Sequence, residues 1–120
     1  MQKTKRILIV DDDYMCRKML YDLFRHHGFN IRLAMDGNDA LKCIRKECFD
    51  IIITDYMMPG MNGIELTRTI RPICEETFII GVSSDGIDKE FLSAGADVFM
   101  SKPLDIQLII KFVTGKSVFL

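Results

Sequence analysis

Three short runs of apolar, mostly β-branched residues stand out along the 120-residue chain: RILIV at 6–10, DIIIT at 50–54 and FIIGV at 78–82. None of them alternates apolar with polar positions. Continuous apolar runs of this length fit strands covered on both faces, as in a parallel sheet. Residues 30–34 and 98–100 are weaker strand candidates. Between the runs the apolar spacing becomes helical. Met15, Cys16, Met19, Leu20, Leu23 and Phe24 share one helix face, and the helix closes before Gly28. Ala40, Leu41 and Ile44 mark a second helix. Asn62, followed by Glu65, predicts the N-cap and capping-box partner of a third, which must stop near Pro72. Residues 87–94 form a short fourth helix, with Gly95 placed to end it. Residues 104–114 form a fifth after Pro103, a residue suited to a first-turn position.

Strand and helix therefore alternate from end to end, which predicts a doubly wound α/β domain with right-handed crossovers. At 13.8 kDa, with 48% hydrophobic and 28% charged residues, the chain is one ordinary globular domain. It is long enough to bury a core without metal or disulfide staples. Formal net charge is −1. Neither half is basic enough to form a nucleic-acid surface, so direct DNA or RNA binding is not expected. No apolar run approaches the roughly 20 residues of a membrane span, and the N-terminal segment does not support a signal peptide. The four cysteines, Cys16, Cys43, Cys48 and Cys74, form no CxxC pair and lack metal-ligand spacing. They are expected to be reduced, partly buried thiols of a cytosolic protein.

In doubly wound folds the working crevice lies beyond the carboxyl ends of the strands. The first strand ends in Asp11-Asp12-Asp13, the third in Asp55, the fourth in Ser83-Ser84 and the fifth in Ser101-Lys102-Pro103. If the first and third strands are neighbours, several carboxylates converge. Like charges so close are tolerable only with a cation or with raised pKa values. Hard oxygen ligands with room for water suit Mg²⁺, with Mn²⁺ as a substitute. No Cys/His or Ser/His nucleophile pair is evident. His26 and His27 fall at the end of the first helix, where a solvated cap is the plain reading. A carboxylate can itself attack phosphorus, and a divalent metal, a Lys and a hydroxyl can neutralise the transferred group. The constellation therefore fits a metal-assisted carboxylate phosphoacceptor. Taken singly, Asp55, Ser83 and Lys102 have ordinary explanations as turn, cap and surface residues. Four strand ends carrying them together do not. Asp13 reads as an N-cap or surface acid.

The segments ILIVDDD (7–13), IIITDYMMPGMNGIEL (51–66), VSSD (82–85), AGAD (94–97) and SKPL (101–104) resemble the receiver domain of two-component response regulators. The chain is similar to the single-domain chemotaxis type, and the likeness runs over essentially all of residues 1–120. The resemblance implies a flavodoxin-like five-stranded parallel sheet in order 2-1-3-4-5, flanked by five helices. It implies a phosphorelay switch, not an enzyme, that assists its own phosphorylation and dephosphorylation. Asp55 would accept a phosphoryl group from a sensor histidine kinase or phosphotransfer protein in the cytoplasm. Asp12 would hold Mg²⁺ directly, Asp11 through water, and the Met57 backbone carbonyl would be a further ligand. Ser83 occupies the hydroxyl position, Lys102 would pair with the phosphate, and Lys102-Pro103 resembles the family's commonly cis peptide. Phe99 fills the aromatic switch position where Tyr is frequent, so the polar half of the usual coupling is missing. Met57 and Asp85 flank the route of water to the phosphoryl group.

The implied output is a downstream effector protein that reads the face of the fourth helix, fifth strand and fifth helix. On the fifth helix Leu104, Ile106, Leu108, Ile109, Ile110, Phe112 and Val113 make an apolar stripe broader than one-sided packing needs. Either the tail Val118-Phe119-Leu120 covers the excess, or it is a partner surface for an effector or for a homodimer. Three other readings compete. A degenerate receiver acting as a constitutive binding module conflicts with the complete set Asp12, Asp55, Ser83 and Lys102. A DxDxT phosphatase fits Asp11 and Asp13 but meets Met15 where Thr is required. A Rossmann domain conflicts with the acidic first turn and the lack of G-x-G-x-x-G.

Overall fold

A computed structural model describes residues 4–115. The elements run β1 (Arg6–Val10), α1 (Tyr14–His26), β2 (Asn30–Ala34), α2 (Gly37–Lys46), β3 (Ile51–Asp55), α3 (Gly63–Ile70), β4 (Phe78–Ser83), α4 (Asp88–Ala94), β5 (Val98–Ser101) and α5 (Ile106–Thr114). All strand pairs are parallel and the sheet order is β2-β1-β3-β4-β5. The expected doubly wound α/β, flavodoxin-like fold is the observed one.

The continuous apolar runs have a simple cause. Successive strand side chains point to opposite faces, and each face is covered by helices. Leu8, Val10, Ile52 and Ile79 pack into one core with α2, α3 and α4 residues such as Ile44, Leu66 and Phe91. Ile7, Ile9, Ile53, Ile80 and Val82 pack into the other with Leu20 and Phe24 of α1 and Ile109 and Val113 of α5. The edge strand β2 is mostly exposed or half-buried, which explains its weak apolar signal.

Caps sit largely where the residue types place them. Asp13 caps α1, accepting from the Met15 N–H. Asn62 caps α3, accepting from the Glu65 N–H at 2.9 Å, while its side-chain amide donates to the Glu65 carboxylate. Gly95 ends α4 in the left-handed region at φ 118°. The fifth helix differs from expectation. It begins at Ile106, not 104, because Asp105 takes the cap position and accepts from the Leu108 N–H. Pro103 precedes the helix, in a cis peptide with Lys102. Ile109, Ile110 and Val113 are buried, whereas Ile106 and Leu108 are exposed. The tail at 118–120 lies outside the described residues.

The expectation of four reduced thiols is corrected. Cys48 and Cys74 are joined in a disulfide, 26 residues apart with a Cα–Cα distance of 5.8 Å; Cys16 and Cys43 are free. Pairing depends on Cα proximity, which these sequence spacings do not display.

Gly81 on β4 lets the Phe91 ring lie against the sheet. A Cβ there would fall 2.4 Å from Phe91 Cδ1, and the ring is fully buried. Gly81→Ala is expected to cost about 2–3 kcal/mol through overpacking. A fall in the urea midpoint at unchanged slope checks it.

Candidate functional site

The carboxyl ends of β1 and β3 lie side by side, with Val10 in register with Thr54. Asp11 and Asp55 therefore leave adjacent strands at the same level, and both are buried. Asp12 follows on the exposed side. The three carboxylates offer oxygens that all lie within 4.8 Å of one another. Such an all-oxygen set is the hard donor chemistry that fits Mg²⁺.

Lys102 arrives from the end of β5. Its backbone N–H donates to the Ser83 carbonyl at 3.0 Å, which fixes the β5 end beside β4. Its Nζ stands 3.2 Å from Asp55 Oδ1 and 3.9 Å from Asp11 Oδ2. Burial pulls the Lys102 ammonium down, but the hydrogen bond and charge of Asp55, with the charge of Asp11, outweigh it and hold its pKa above the ordinary value. Burial, aided by the Asp55 charge, pushes the Asp11 carboxyl up, against the Asp13 N–H that donates to it at 2.9 Å. The pocket thus holds more negative charge than Lys102 alone relieves.

Ser83 ends β4, buried, and its hydroxyl oxygen accepts from the Asp85 N–H at 3.0 Å. A hydroxyl that accepts still has a proton to donate. Met57, two residues past Asp55, is 66% exposed. Phe99 is half-buried on β5, beside Gly81 in register, with its ring 5.8 Å from the Phe91 ring. The structure thus gathers Asp11, Asp12, Asp55 and Lys102 and sets Ser83 at the neighbouring strand end. Asp13 is engaged as a cap with the Met15 N–H and the Cys16 thiol, which leaves a DxDxT reading without its second acid. His26 and His27 end α1, exposed, away from the pocket.

Some residues around the site have no sequence signal of their own. The Arg17 guanidinium donates to the Asp11 carbonyl at 2.8 Å, one turn into α1. The Cys16 thiol is pushed up to about 11, by burial first and then by its hydrogen bond to Asp13, so it is an inert wall. A cavity of about 310 Å³ runs under the site between α1 and α5; Asp11, Asp55 and Lys102 stand among its largely apolar lining, with Met19, Leu20 and Ile106.

Residues 7–114 match the family model of the response regulator receiver domain. The chain belongs to that family, whose members serve two-component signalling. It is 35% identical over 111 residues to the sensor histidine kinase RcsC of Escherichia coli (strain K12), an alignment covering 90% of this chain and 12% of that one. It is 36% identical over 101 residues to the DNA-binding response regulator MtrA of Mycobacterium leprae (strain TN), covering 82% of this chain and 45% of that one. The chain therefore spans less than half the length of these curated relatives. Among solved structures, the receiver domain of the Francisella response regulator 1452 matches with a TM-score of 0.86 at 30% identity, covering 92% and 94% of the two chains. The chemotaxis response regulator CheY4 of Vibrio cholerae matches with a TM-score of 0.87 at 27% identity, covering 94% and 98%.

Proposed function

We propose that this domain is a cytoplasmic phosphorylation switch whose Asp55 takes a phosphoryl group from a phosphohistidine of a sensor kinase or phosphotransfer protein. The observation that carries the reading is the pairing of a buried, strand-end carboxylate with Lys102 at 3.2 Å inside a cluster of three acids. An Asp55 carboxylate oxygen attacks phosphorus. The new O–P bond forms as the P–N bond to the donor imidazole breaks, and the departing nitrogen keeps the electron pair. Lys102 stands ready to move from Asp55 to a phosphoryl oxygen, and the Ser83 hydroxyl donates to another. Asp11, Asp12, Asp55 and the Met57 carbonyl would hold Mg²⁺, or Mn²⁺ in its place. Bound there, the ion supplies a second positive charge for the phosphoryl oxygens.

The added group brings about −1.5 to −2 charge. Turning a 1:99 population into 99:1 takes about 5.5 kcal/mol of preference. A few charge-assisted hydrogen bonds at about 1.5–3 kcal/mol each reach that. As Ser83 is drawn to the phosphoryl group, Phe99 repacks against Phe91 of α4. With no hydroxyl on this ring, the coupling is by shape alone. Output passes through α4, β5 and α5, where Leu92, Ile106 and Leu108 give exposed apolar positions for an effector, or for a second copy in a homodimer. Incubation with acetyl phosphate tests the reading. Mg²⁺-dependent incorporation of one acid-stable, hydroxylamine-labile phosphoryl group supports it, and no incorporation overturns it.

Met57 bears on the lifetime of the modified state. Its long apolar side chain stands two residues from the acceptor and shields the approach of water. Met57→Asn is expected to shorten the phosphoryl lifetime severalfold, as followed by loss of label after donor removal. An unchanged lifetime removes that role.

A further inference from the structure

The end of the sheet remote from Asp55 carries a second reactive group. Cys48 lies between α2 and β3, and Cys74 between α3 and β4. In a parallel sheet both connections fall at the amino ends of the strands, whereas the acids sit at the carboxyl ends. The two sulfurs are bonded to each other, yet their access is unequal: Cys48 is exposed and Cys74 is only 3% exposed. A cleft of about 350 Å³ opens beside them, with Asp50, Glu75 and Glu76 in its lining. Arg6 and Arg71, whose guanidiniums reach lining residues, are each paired to a further acid, Arg6 to Glu47 and Arg71 to Asp97.

Thiol–disulfide exchange needs a thiolate to reach one sulfur while the other leaves, so access decides which sulfur is attacked. We propose that Cys48–Cys74 is an exchange site opened at Cys48 by a neutral or cationic thiol. The incoming thiolate bonds to Cys48 Sγ and the Cys48–Cys74 bond breaks. Its electron pair leaves on Cys74 Sγ, which takes a proton from water. A second thiolate then attacks the mixed disulfide at its non-protein sulfur, giving the external disulfide and a free Cys48 thiolate. Overall the protein gains two electrons and two thiols are oxidised; the external disulfide drives the reverse. The carboxylate lining repels an anionic thiol, an effect that salt screens.

What opens is a tether between two connections. The turn after Cys74 keeps its other anchor, because the Arg71 guanidinium donates to the carbonyls of Cys74, Glu75 and Thr77, to the Gly95 carbonyl and to the Asp97 carboxylate. Asp97 in turn accepts from the Ile79 N–H at 2.8 Å. Exchange therefore acts on the floor beneath β3 and β4, leaving the acidic pocket covalently untouched.

The test uses the reduced full chain with cystamine as the cationic disulfide, quenched at early times, alkylated and mapped by peptide mass spectrometry. The expected result is an adduct on Cys48 in at least about tenfold excess over Cys74, followed by re-formation of the Cys48–Cys74 bond. In Cys74→Ser the Cys48 adduct accumulates instead. First modification at Cys74, or equal modification of both, overturns the proposal, and the wild-type mapping does not depend on how the variant folds. Glutathione disulfide, the anionic probe, is expected to react more slowly than cystamine at low salt, with the gap narrowing in high salt. Faster reaction with glutathione disulfide, or a gap indifferent to salt, overturns the assignment of thiol class.

Discussion

Asp55→Asn is expected to abolish phosphoryl incorporation, lowering it more than about a hundredfold, to background. The substitution keeps the shape of the side chain and removes the nucleophilic oxygen pair. It also removes the charge that holds Lys102 Nζ at 3.2 Å. The remaining acids do not substitute for it. Asp11 carries the cost of burial and already accepts from the Asp13 N–H, and Asp12 is exposed at the pocket edge. Intact-mass measurement after exposure to acetyl phosphate with Mg²⁺ reads the result, and thermal unfolding shows that the variant is folded. Full incorporation in the variant would place the acceptor elsewhere and end the reading of the pocket.

A second large effect is expected on metal-free stability. Asp11→Asn should unfold at higher temperature than wild type in chelator at neutral pH. Burial first, then the Asp55 charge, raises the folded-state pKa of Asp11 above its ordinary 3.8. As pH rises from that value to the raised one, the unfolded chain loses its proton while the folded chain keeps it. The unfolded state then binds fewer protons, so stability falls across this window and the full cost is present above it. The variant is spared that cost, while its side-chain oxygen still accepts from the Asp13 N–H. Adding Mg²⁺ should narrow or reverse the difference. At ten times its dissociation constant a bound ion adds about 1.4 kcal/mol to wild type, and less to a protein that has lost one acid. Melting curves at several pH values, with and without Mg²⁺, measure both halves. A variant less stable than wild type in chelator, or equally responsive to Mg²⁺, contradicts the account.

Much of the site was legible because its residues follow strands that are themselves legible. RILIV and DIIIT announce buried strands, and the acids that end them must then emerge at a sheet edge. Lys102 and Ser83 were placed the same way, by what precedes them. The weaker strand candidates at 30–34 and 98–100 are the observed β2 and β5, and the faintness of the signals has local reasons. Strand β2 is half solvated, so its residues did not have to be apolar. The start of α5 moved two residues because a side-chain oxygen on Asp105 captured the Leu108 N–H, a competition that apolar spacing does not record. The Arg71 clamp was unreadable, since its partners come from two connections, α3–β4 and α4–β5, brought together by folding.

Order and chemistry belong to the one-dimensional chain: which runs are buried on both faces, where helices are capped, which acids, hydroxyl and lysine stand at strand ends. These are local, set by side-chain type and by periods of two and 3.6 residues. Distance belongs to the folded molecule. Only the parallel register of β1 with β3 brings Asp11 beside Asp55, and only the placement of β5 next to β4 brings Lys102 to 3.2 Å from Asp55. The Cys48–Cys74 bond is the sharpest instance, for spacing argued for free thiols and packing brought the sulfurs together.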